Sequence, residues 1–136
     1  INNSLISSIK KIIPKDCFHL VDAGNLHLCI KKRSIENEDI DSLYKKLEKH
    51  INPLNINLSI YKSSRKHIDI RTYENGTGET LSCGSASISV AFLHLKDKLK
   101  KVKIESFGGE LKFEKYNNNI LMTGPAAFIY SGSVYE

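Results

Sequence analysis

The sequence has no long run of apolar residues and few cysteines. No segment approaches the roughly 18 consecutive apolar residues that a membrane-spanning helix needs, so we expect no membrane contact. The three cysteines, Cys17, Cys29 and Cys83, form an odd and sparse set, whereas a secreted scaffold of this size normally carries an even one. We therefore expect reduced thiols and a cytoplasmic protein. The first residue is Ile1 rather than methionine, which indicates a piece of a longer protein.

The length and composition indicate one soluble domain. The chain has 136 residues, 40% of them hydrophobic and 26% charged, with a formal net charge of +5. Part of this charge lies in a lysine cluster at Lys96, Lys98, Lys100, Lys101 and Lys103. Because the cluster lacks interleaved aromatic residues and any nucleic-acid-binding motif, we interpret it as a solvated helix end and loop, and expect no nucleic-acid partner. Binding to DNA or RNA, with a steep salt dependence, stays an alternative.

Alternating apolar and polar residues predict several short strands. The pattern is clearest in "NINLSIY" (residues 55–61) and "HIDIR" (67–71), and "FHLV" and "LHLCI" flank a turn at 22–25. Further strands are predicted at residues 102–106, 110–113, 120–123 and 128–130.

Two helices are predicted between these strands. Residues 34–51 carry an apolar stripe at helical spacing, and Asn52-Pro53 ends it. Residues 85–95 are apolar around most of a helix, which is typical of a helix inside a core. The predicted fold is therefore an α+β domain, with a mixed or antiparallel sheet curled around a central buried helix.

Cys83 stands just before this buried helix, with Thr80 or Ser82 as the predicted N-cap. A helix N-terminus offers free N–H groups and a partial positive charge, which favour the thiolate and so raise its reactivity. The amides of Gly84 and Ser85 could also hold a carboxylate or phosphate. The alternative is a small buried residue at a helix start, as free cysteines often are.

Acids near Cys83 complete the local picture. Glu74 or Glu79 could act as proton partner to the thiol, although the position of Glu79 in a Gly-x-Gly-Glu-Thr turn favours bracing of the loop. The glycine-containing loop is not a nucleotide loop, because no Gly-Lys-Ser/Thr follows it. Its leucine, Leu81, also stands where the dinucleotide pattern requires a third glycine.

The stretch "RTYENGTGETLSCGSAS" (residues 71–87) resembles the second-cysteine motif of the diaminopimelate epimerases, Arg-x-x-Glu-Arg-Gly-x-Gly-Glu-Thr-x-Ala-Cys-Gly-Thr-Gly. Upstream, "GNLHLCI" is similar to their Gly-Asn-Pro-His segment, and "NINLSI" to their Asn-Val-x-Phe strand. "FGGELKFE" and "ILMTGPAAFIYSG" resemble their C-terminal end. The similarity runs from about Phe18 onward in the family's order.

This resemblance implies a cofactor-independent racemase with two similar domains, each supplying one cysteine. One thiolate would remove the α-proton, and the opposite thiol would return a proton to the other face. The implied roles are a catalytic thiol at Cys83, assisting groups at Glu74 and His27, α-carboxylate binding by Gly84 and Ser85, and substrate contacts at Asn25 and Asn55. No metal or other cofactor is implied.

Two features depart from the family's pattern. Neither Cys17 nor Cys29 stands in the motif of the first cysteine, so residues 1–136 resemble the C-terminal domain alone. The implied partners are an N-terminal domain with the second cysteine, an amino-acid substrate and, given the family's tendency, a second copy in a homodimer.

The second departure is Asn75, which replaces an arginine that clamps the distal carboxylate of diaminopimelate. We therefore expect a substrate without that carboxylate, such as L-histidine, as in the histidine racemases that make metallophore precursors. The alternative is diaminopimelate itself, with another cation supplying the charge.

A zinc-binding module is the rival interpretation. Cys17, His19, His27 and Cys29 are symmetric about Ala23, so a hairpin would set Cys17 opposite Cys29 and His19 opposite His27. All four side chains would then share one face. They would form a Cys₂His₂ set, although the spacing matches no established zinc pattern.

Overall fold

The computed structural model describes residues 3–96 and 99–136, which form eight strands and three α-helices. The strands are β1 (Cys17–Asp22), β2 (Leu26–Lys31), β3 (Asn57–Ser64), β4 (His67–Glu74), β5 (Gly78–Thr80), β6 (Lys101–Ser106), β7 (Gly109–Tyr116) and β8 (Asn119–Thr123). The helices are α1 (Asn3–Ile12), α2 (Ile40–Ile51) and α3 (Gly84–Leu95), with a 3₁₀ turn at Asn52–Leu54.

The strands form one mixed sheet in the order β1-β2-β3-β4-β6-β7-β8, and β5 pairs with β4 outside this path. The pairs β2–β3 and β4–β6 are parallel, and the other pairs are antiparallel. The sheet curls around α3, which contacts β2, β3, β6 and β7. The predicted α+β class, with a curled sheet around a central helix, is confirmed.

Each face of the sheet has its own core. On one face, α1 and α2 cover β2 and β3, with Ile9, Leu47 and Leu58 fully buried between them. On the other face, α3 packs Val90 and its neighbours against strand residues such as Phe113. Because successive strand residues point to opposite faces, β2 and β3 contribute to both cores.

The second predicted helix starts later than expected. Residues 34–39 lie outside α2, which begins at Ile40 because the Asp39 side chain accepts a hydrogen bond from the Ser42 amide as N-cap. The helix ends at Ile51 as predicted, where Pro53 enters the 3₁₀ turn.

Three other features differ from the sequence-based prediction, one of them the short strand β5, which was not predicted. Helix α1 was not predicted, although Leu5, Ile9 and Ile13 recur every four residues and are buried. The predicted strand at residues 128–130 is wrong, since residues 124–136 form no regular structure and are exposed. They pair with no strand among the described residues. No helix in the described part of the chain has the length and apolar character needed to span a bilayer.

Candidate active site

The predicted site residues meet at one edge of the sheet. Strands β2 and β3 run parallel, so His27 and Asn57 lie side by side at their N-terminal ends. Strand β4 runs the other way and pairs Tyr73 with Leu58, which brings its last residue, Glu74, to the same edge. Helix α3 begins there too, since Ser85 lies within hydrogen-bonding distance of His27.

Cys83 is itself the N-cap residue of α3. Its backbone is extended (φ −141°), and its carbonyl accepts the first helical hydrogen bond from the Ser87 amide at 3.0 Å. The amides of Gly84 and Ser85 therefore precede the helical ladder and have no intrahelical acceptor. The half-buried thiol thus stands beside two backbone donors at the positive end of the helix dipole.

The predicted N-caps, Thr80 and Ser82, are corrected by this geometry. Cys83 occupies the cap position without a side-chain cap hydrogen bond among the described residues, and Thr80 ends β5 three residues earlier. The hydroxyl Oγ1 of Thr80 is buried and has no hydrogen-bond partner among the described residues.

A short polar chain connects the thiol to His27. The Cys83 Sγ lies 3.4 Å from Ser85 Oγ, which lies 3.0 Å from His27 Nε2. The same ring nitrogen is 3.2 Å from Asn25 Oδ1. Four of the sequence-predicted site residues, Asn25, His27, Cys83 and Ser85, therefore form one connected chain. The Ser85 hydroxyl bridges the thiol and the imidazole, a position that the sequence did not predict.

His27 is fully buried, and its charge state is set by two opposing effects. Burial lowers the pKa of His27 below its ordinary 6.5, and the negative charge of Glu74 partly opposes this shift. The imidazole is therefore neutral at physiological pH. Its Nδ1 is buried and lacks a partner among the described residues, so one polar atom of the site is unsatisfied.

Glu79 braces the loop before Cys83, as its turn position predicted. Its carboxylate accepts hydrogen bonds from Arg71 Nε at 2.6 Å and from Arg71 Nη2 at 3.0 Å. Arg71 Nη1 donates to the carbonyls of Ile35 and Glu38, at 2.6 and 2.9 Å. The carboxylate of Glu79 is thus bound by Arg71, whereas Glu74 lies close enough to His27 to raise the pKa of its imidazole.

Asn75 lies in a neutral hydrogen-bond cluster. Its Oδ1 accepts from the Tyr44 hydroxyl at 2.8 Å, and its Nδ2 donates to Asn55 Oδ1 at 3.2 Å and to the Asn52 carbonyl at 3.4 Å. Its backbone amide donates to Asn57 Oδ1 at 2.8 Å. Sequence reasoning singled out Asn55 and Asn75. It missed Tyr44, which no local motif marks, and Asn57, which stands at the variable position of the Asn-Val-x-Phe pattern.

The strand register corrects the zinc interpretation. It pairs Cys17 with Lys31, His19 with Cys29, and Val21 with His27. The turn centres on Gly24, whose φ of 91° suits glycine, so the facing pairs differ from those predicted. Among the described residues, the group whose ligand atoms lie within 4.8 Å of one another is His67, Asp69 and Glu105, and the four predicted ligands do not form such a group.

Part of the lysine cluster is engaged in ion pairs. Lys101 lies 2.9 Å from Glu114, and Lys103 lies 3.9 Å from Glu110, both across the β6–β7 pair. Lys98 lies outside the described residues. Lys101 and Lys103 also line a cavity of about 580 Å³ at the β3–β4 turn, at the opposite end of the sheet from Cys83.

Comparison with known proteins identifies the family. The family model described as "Diaminopimelate epimerase" matches residues 19–129. The chain belongs to the diaminopimelate epimerase family. Curated proteins of that name share 35% identity over 94% of the chain in Buchnera aphidicola (subsp. Acyrthosiphon pisum, strain 5A) and 30% over 85% in Legionella pneumophila (strain Corby).

The chain spans about half the length of these diaminopimelate epimerases, covering 47% of the first and 44% of the second. The solved structure of a phenazine biosynthesis protein of the PhzF family from Enterococcus faecalis has a TM-score of 0.60 and 17% identity. The match covers 76% of this chain and 41% of that one. At this identity the likeness shows a shared fold, and it agrees with the curled sheet described above.

Proposed function

We propose that this chain is the C-terminal half of an amino-acid epimerase or racemase in which Cys83 exchanges the substrate's α-proton. The observation that carries the proposal is the placement of Cys83 at the start of α3, linked through Ser85 to a buried, neutral His27. An N-terminal half would supply the second cysteine on the opposite face of the substrate.

The start of α3 suits an α-carboxylate. The free amides of Gly84 and Ser85 can donate to it, and the helix dipole favours its charge. Removal of the α-proton places further negative charge beside this carboxylate. Preorganised amides stabilise that charge most strongly where water is excluded, which a closed cleft between two halves would provide.

Proton transfer between two thiols inverts the stereocentre. In one direction, the Cys83 thiolate takes the α-proton and becomes a thiol, while the opposite thiol gives its proton to the other face of the carbanion and becomes a thiolate. A neutral His27 with its proton on Nε2 donates to Ser85 Oγ, so the Ser85 hydroxyl can donate to the Cys83 thiolate. Glu74 adds negative charge near the imidazole. The proposed chemistry needs no bound cofactor.

Diaminopimelate is the first candidate substrate, because the curated relatives carry the name diaminopimelate epimerase. One observation favours a second candidate without a distal carboxylate, such as L-histidine. The side chains bonded to Asn75, namely those of Tyr44, Asn55 and Asn57, are all neutral, so this cluster contains no guanidinium to pair with a carboxylate.

The test is α-deuterium exchange in D₂O, followed by NMR with the full-length protein. L,L-diaminopimelate, L-histidine and a panel of other amino acids are offered to the wild type, to Cys83→Ser and to the control Cys17→Ser. Cys17 is an exposed thiol on β1, so its loss should leave the rate unchanged.

We expect exchange on one of the first two substrates, with a fall of at least about a thousandfold in Cys83→Ser, since serine is a far weaker acid than cysteine. Exchange on diaminopimelate would select the first candidate, and exchange on histidine the second. Full activity in Cys83→Ser would contradict the proposal.

A further inference from the structure

The hydrogen bonds around Asn75 allow one arrangement of its side-chain amide. The Asn52 carbonyl can only accept a hydrogen bond, so the atom that faces it at 3.4 Å must be the Nδ2 of Asn75. The Oδ1 of Asn75 then faces the Tyr44 hydroxyl, which must donate to it. The orientation of Asn75 is thus determined by a backbone carbonyl rather than chosen freely.

Tyr44 is held rigidly in the position from which it donates. Its side chain is 4% exposed, and its ring stacks on that of Tyr73 with centroids 4.0 Å apart and an interplanar angle of 18°. Burial raises the pKa of Tyr44 above its ordinary value of 10.0, so the hydroxyl keeps its proton. Helix α2, which carries Tyr44, is thereby connected to the edge of the sheet where the site lies.

The arrangement then extends to Asn55. The second hydrogen of Asn75 Nδ2 points to Asn55, so the atom that receives it must be the acceptor, Oδ1. The backbone of Asn55 is held in the left-handed region (φ 52°), and its amide donates to the Asn52 carbonyl at 2.9 Å. Because Oδ1 of Asn55 accepts from Asn75, the two hydrogens on Nδ2 of Asn55 are the side-chain groups that can bind a ligand. No described residue accepts from them.

We propose that Tyr44 is a positioning residue that acts through Asn75 to present Asn55 as a neutral, donor-only group to the side chain of the substrate. The inference rests on the proposed function. The substrate class is an amino acid whose side chain ends in a hydrogen-bond acceptor, such as a carboxylate oxygen or an unprotonated imidazole nitrogen.

The test compares two hydroxyl deletions in the same stacked pair, in the full-length protein. Tyr44→Phe keeps the ring and removes the donor to Asn75, whereas Tyr73→Phe removes a hydroxyl outside this hydrogen-bond chain. With whichever of L,L-diaminopimelate and L-histidine is turned over, we expect Tyr44→Phe to raise KM about tenfold with kcat changed less than about twofold. Tyr73→Phe should change neither.

A double-mutant cycle separates positioning from a general structural effect. In an Asn55→Ala background, Tyr44→Phe should add no further increase in KM, because the group that it orients is absent. Asn75→Ala, which interrupts the same chain at its centre, should reproduce the KM of Tyr44→Phe.

Three outcomes would overturn the inference alone, given an active wild type: an unchanged KM in both Tyr44→Phe and Asn75→Ala, an equal increase in the Asn55→Ala background, or a loss confined to kcat. A wild type that exchanges no amino acid would instead overturn the proposed function, and with it this role for Tyr44.

Discussion

At the scale of single residues, the proposed site depends on a histidine that is kept neutral. His27 is fully buried beside Ser85, and burial lowers its pKa more than the charge of Glu74 raises it. A charged imidazole there would require a second proton on Nδ1, which has no acceptor among the described residues. In the neutral tautomer that carries its proton on Nε2, His27 is a single donor.

This neutrality predicts a pH dependence of folding stability. The folded pKa of His27 is lower than the unfolded value of about 6.5, so between the two the unfolded chain binds a proton that the folded chain does not. The contribution of His27 is therefore full above about pH 6.5 and is lost as the pH falls toward the folded pKa, with a slope of up to about 1.4 kcal/mol per pH unit.

In urea unfolding between pH 5 and 7, we expect His27→Gln to flatten this acid slope. His19→Gln is the comparison, because the pKa of His19 is lowered too but its side chain on β1 is exposed, so the flattening should be smaller. An unchanged slope in His27→Gln would show that the folded pKa of His27 is not lowered.

At the scale of elements, the turn between β6 and β7 supports the segment that precedes Cys83. The Gly108 amide donates to the Leu81 carbonyl at 2.7 Å. The Phe107 ring lies 5.7 Å from the guanidinium of Arg71, which also braces the loop through Glu79. The position of the thiol therefore depends on a turn that follows it in sequence by 25 residues (108 − 83 = 25).

We expect Gly108→Ala to displace the thiol of Cys83, which the proposed function makes catalytic. An added Cβ would lie 2.9 Å from Ser82 Cβ and 3.0 Å from the Leu81 carbonyl oxygen, so the segment before Cys83 must shift. A shift of this kind should lower kcat about tenfold or more, because the thiol must align with the α-proton. Gly132→Ala is the control, since its Cβ meets no atom within 4 Å. Equal kcat values in both variants would contradict this role.

Local sequence patterns predicted the elements whose pattern lies within a short stretch of the chain. The apolar stretch of α3, the β1–β2 hairpin and the position of Cys83 just before α3 are all readable over fewer than about 20 residues. The hairpin register was wrong because it depends on the left-handed Gly24, and the start of α2 was wrong because the stripe extends past the Asp39 cap.

Contacts between distant segments could not be predicted from one sequence. Tyr44 meets Asn75 across 31 residues, and only the packing of α2 near the end of β4 brings them together. The family resemblance predicted those site residues that stand in a family motif. Tyr44 stands in no such motif, so the resemblance could not predict it.

At the scale of the whole molecule, the chain exposes surfaces that a second half would cover under the proposed function. Cys83 is only half-buried, and residues 124–136 leave side chains such as Phe128, Ile129 and Tyr130 more than 80% exposed. A run of exposed large apolar side chains is typical of an interaction surface rather than of a solvated terminus. Under the proposed two-thiol mechanism, the second half would contact the exposed side of α3, since the opposite side is packed against the sheet.

The three thiols offer a readout of the whole fold, because each has a different environment. Cys17 is exposed and Cys83 is half-buried, whereas Cys29 is fully buried between the sheet and α3. Burial raises the pKa of Cys29 from 9.0 to about 12, which lowers its thiolate fraction near pH 8 about a thousandfold, and the thiolate is the species that reacts.

Iodoacetamide at pH 8, followed by peptide mass spectrometry, should therefore alkylate Cys17 and Cys83 in the folded chain and leave Cys29 unmodified. In rising urea, labelling of Cys29 should follow global unfolding, because its burial needs both α3 and the sheet. The double variant Cys17→Ser/Cys83→Ser isolates the Cys29 signal. If Cys29 were alkylated as fast as Cys17 in the absence of urea, α3 would not remain packed against the curled sheet. The start of α3 could then not hold Cys83 in a fixed position for catalysis.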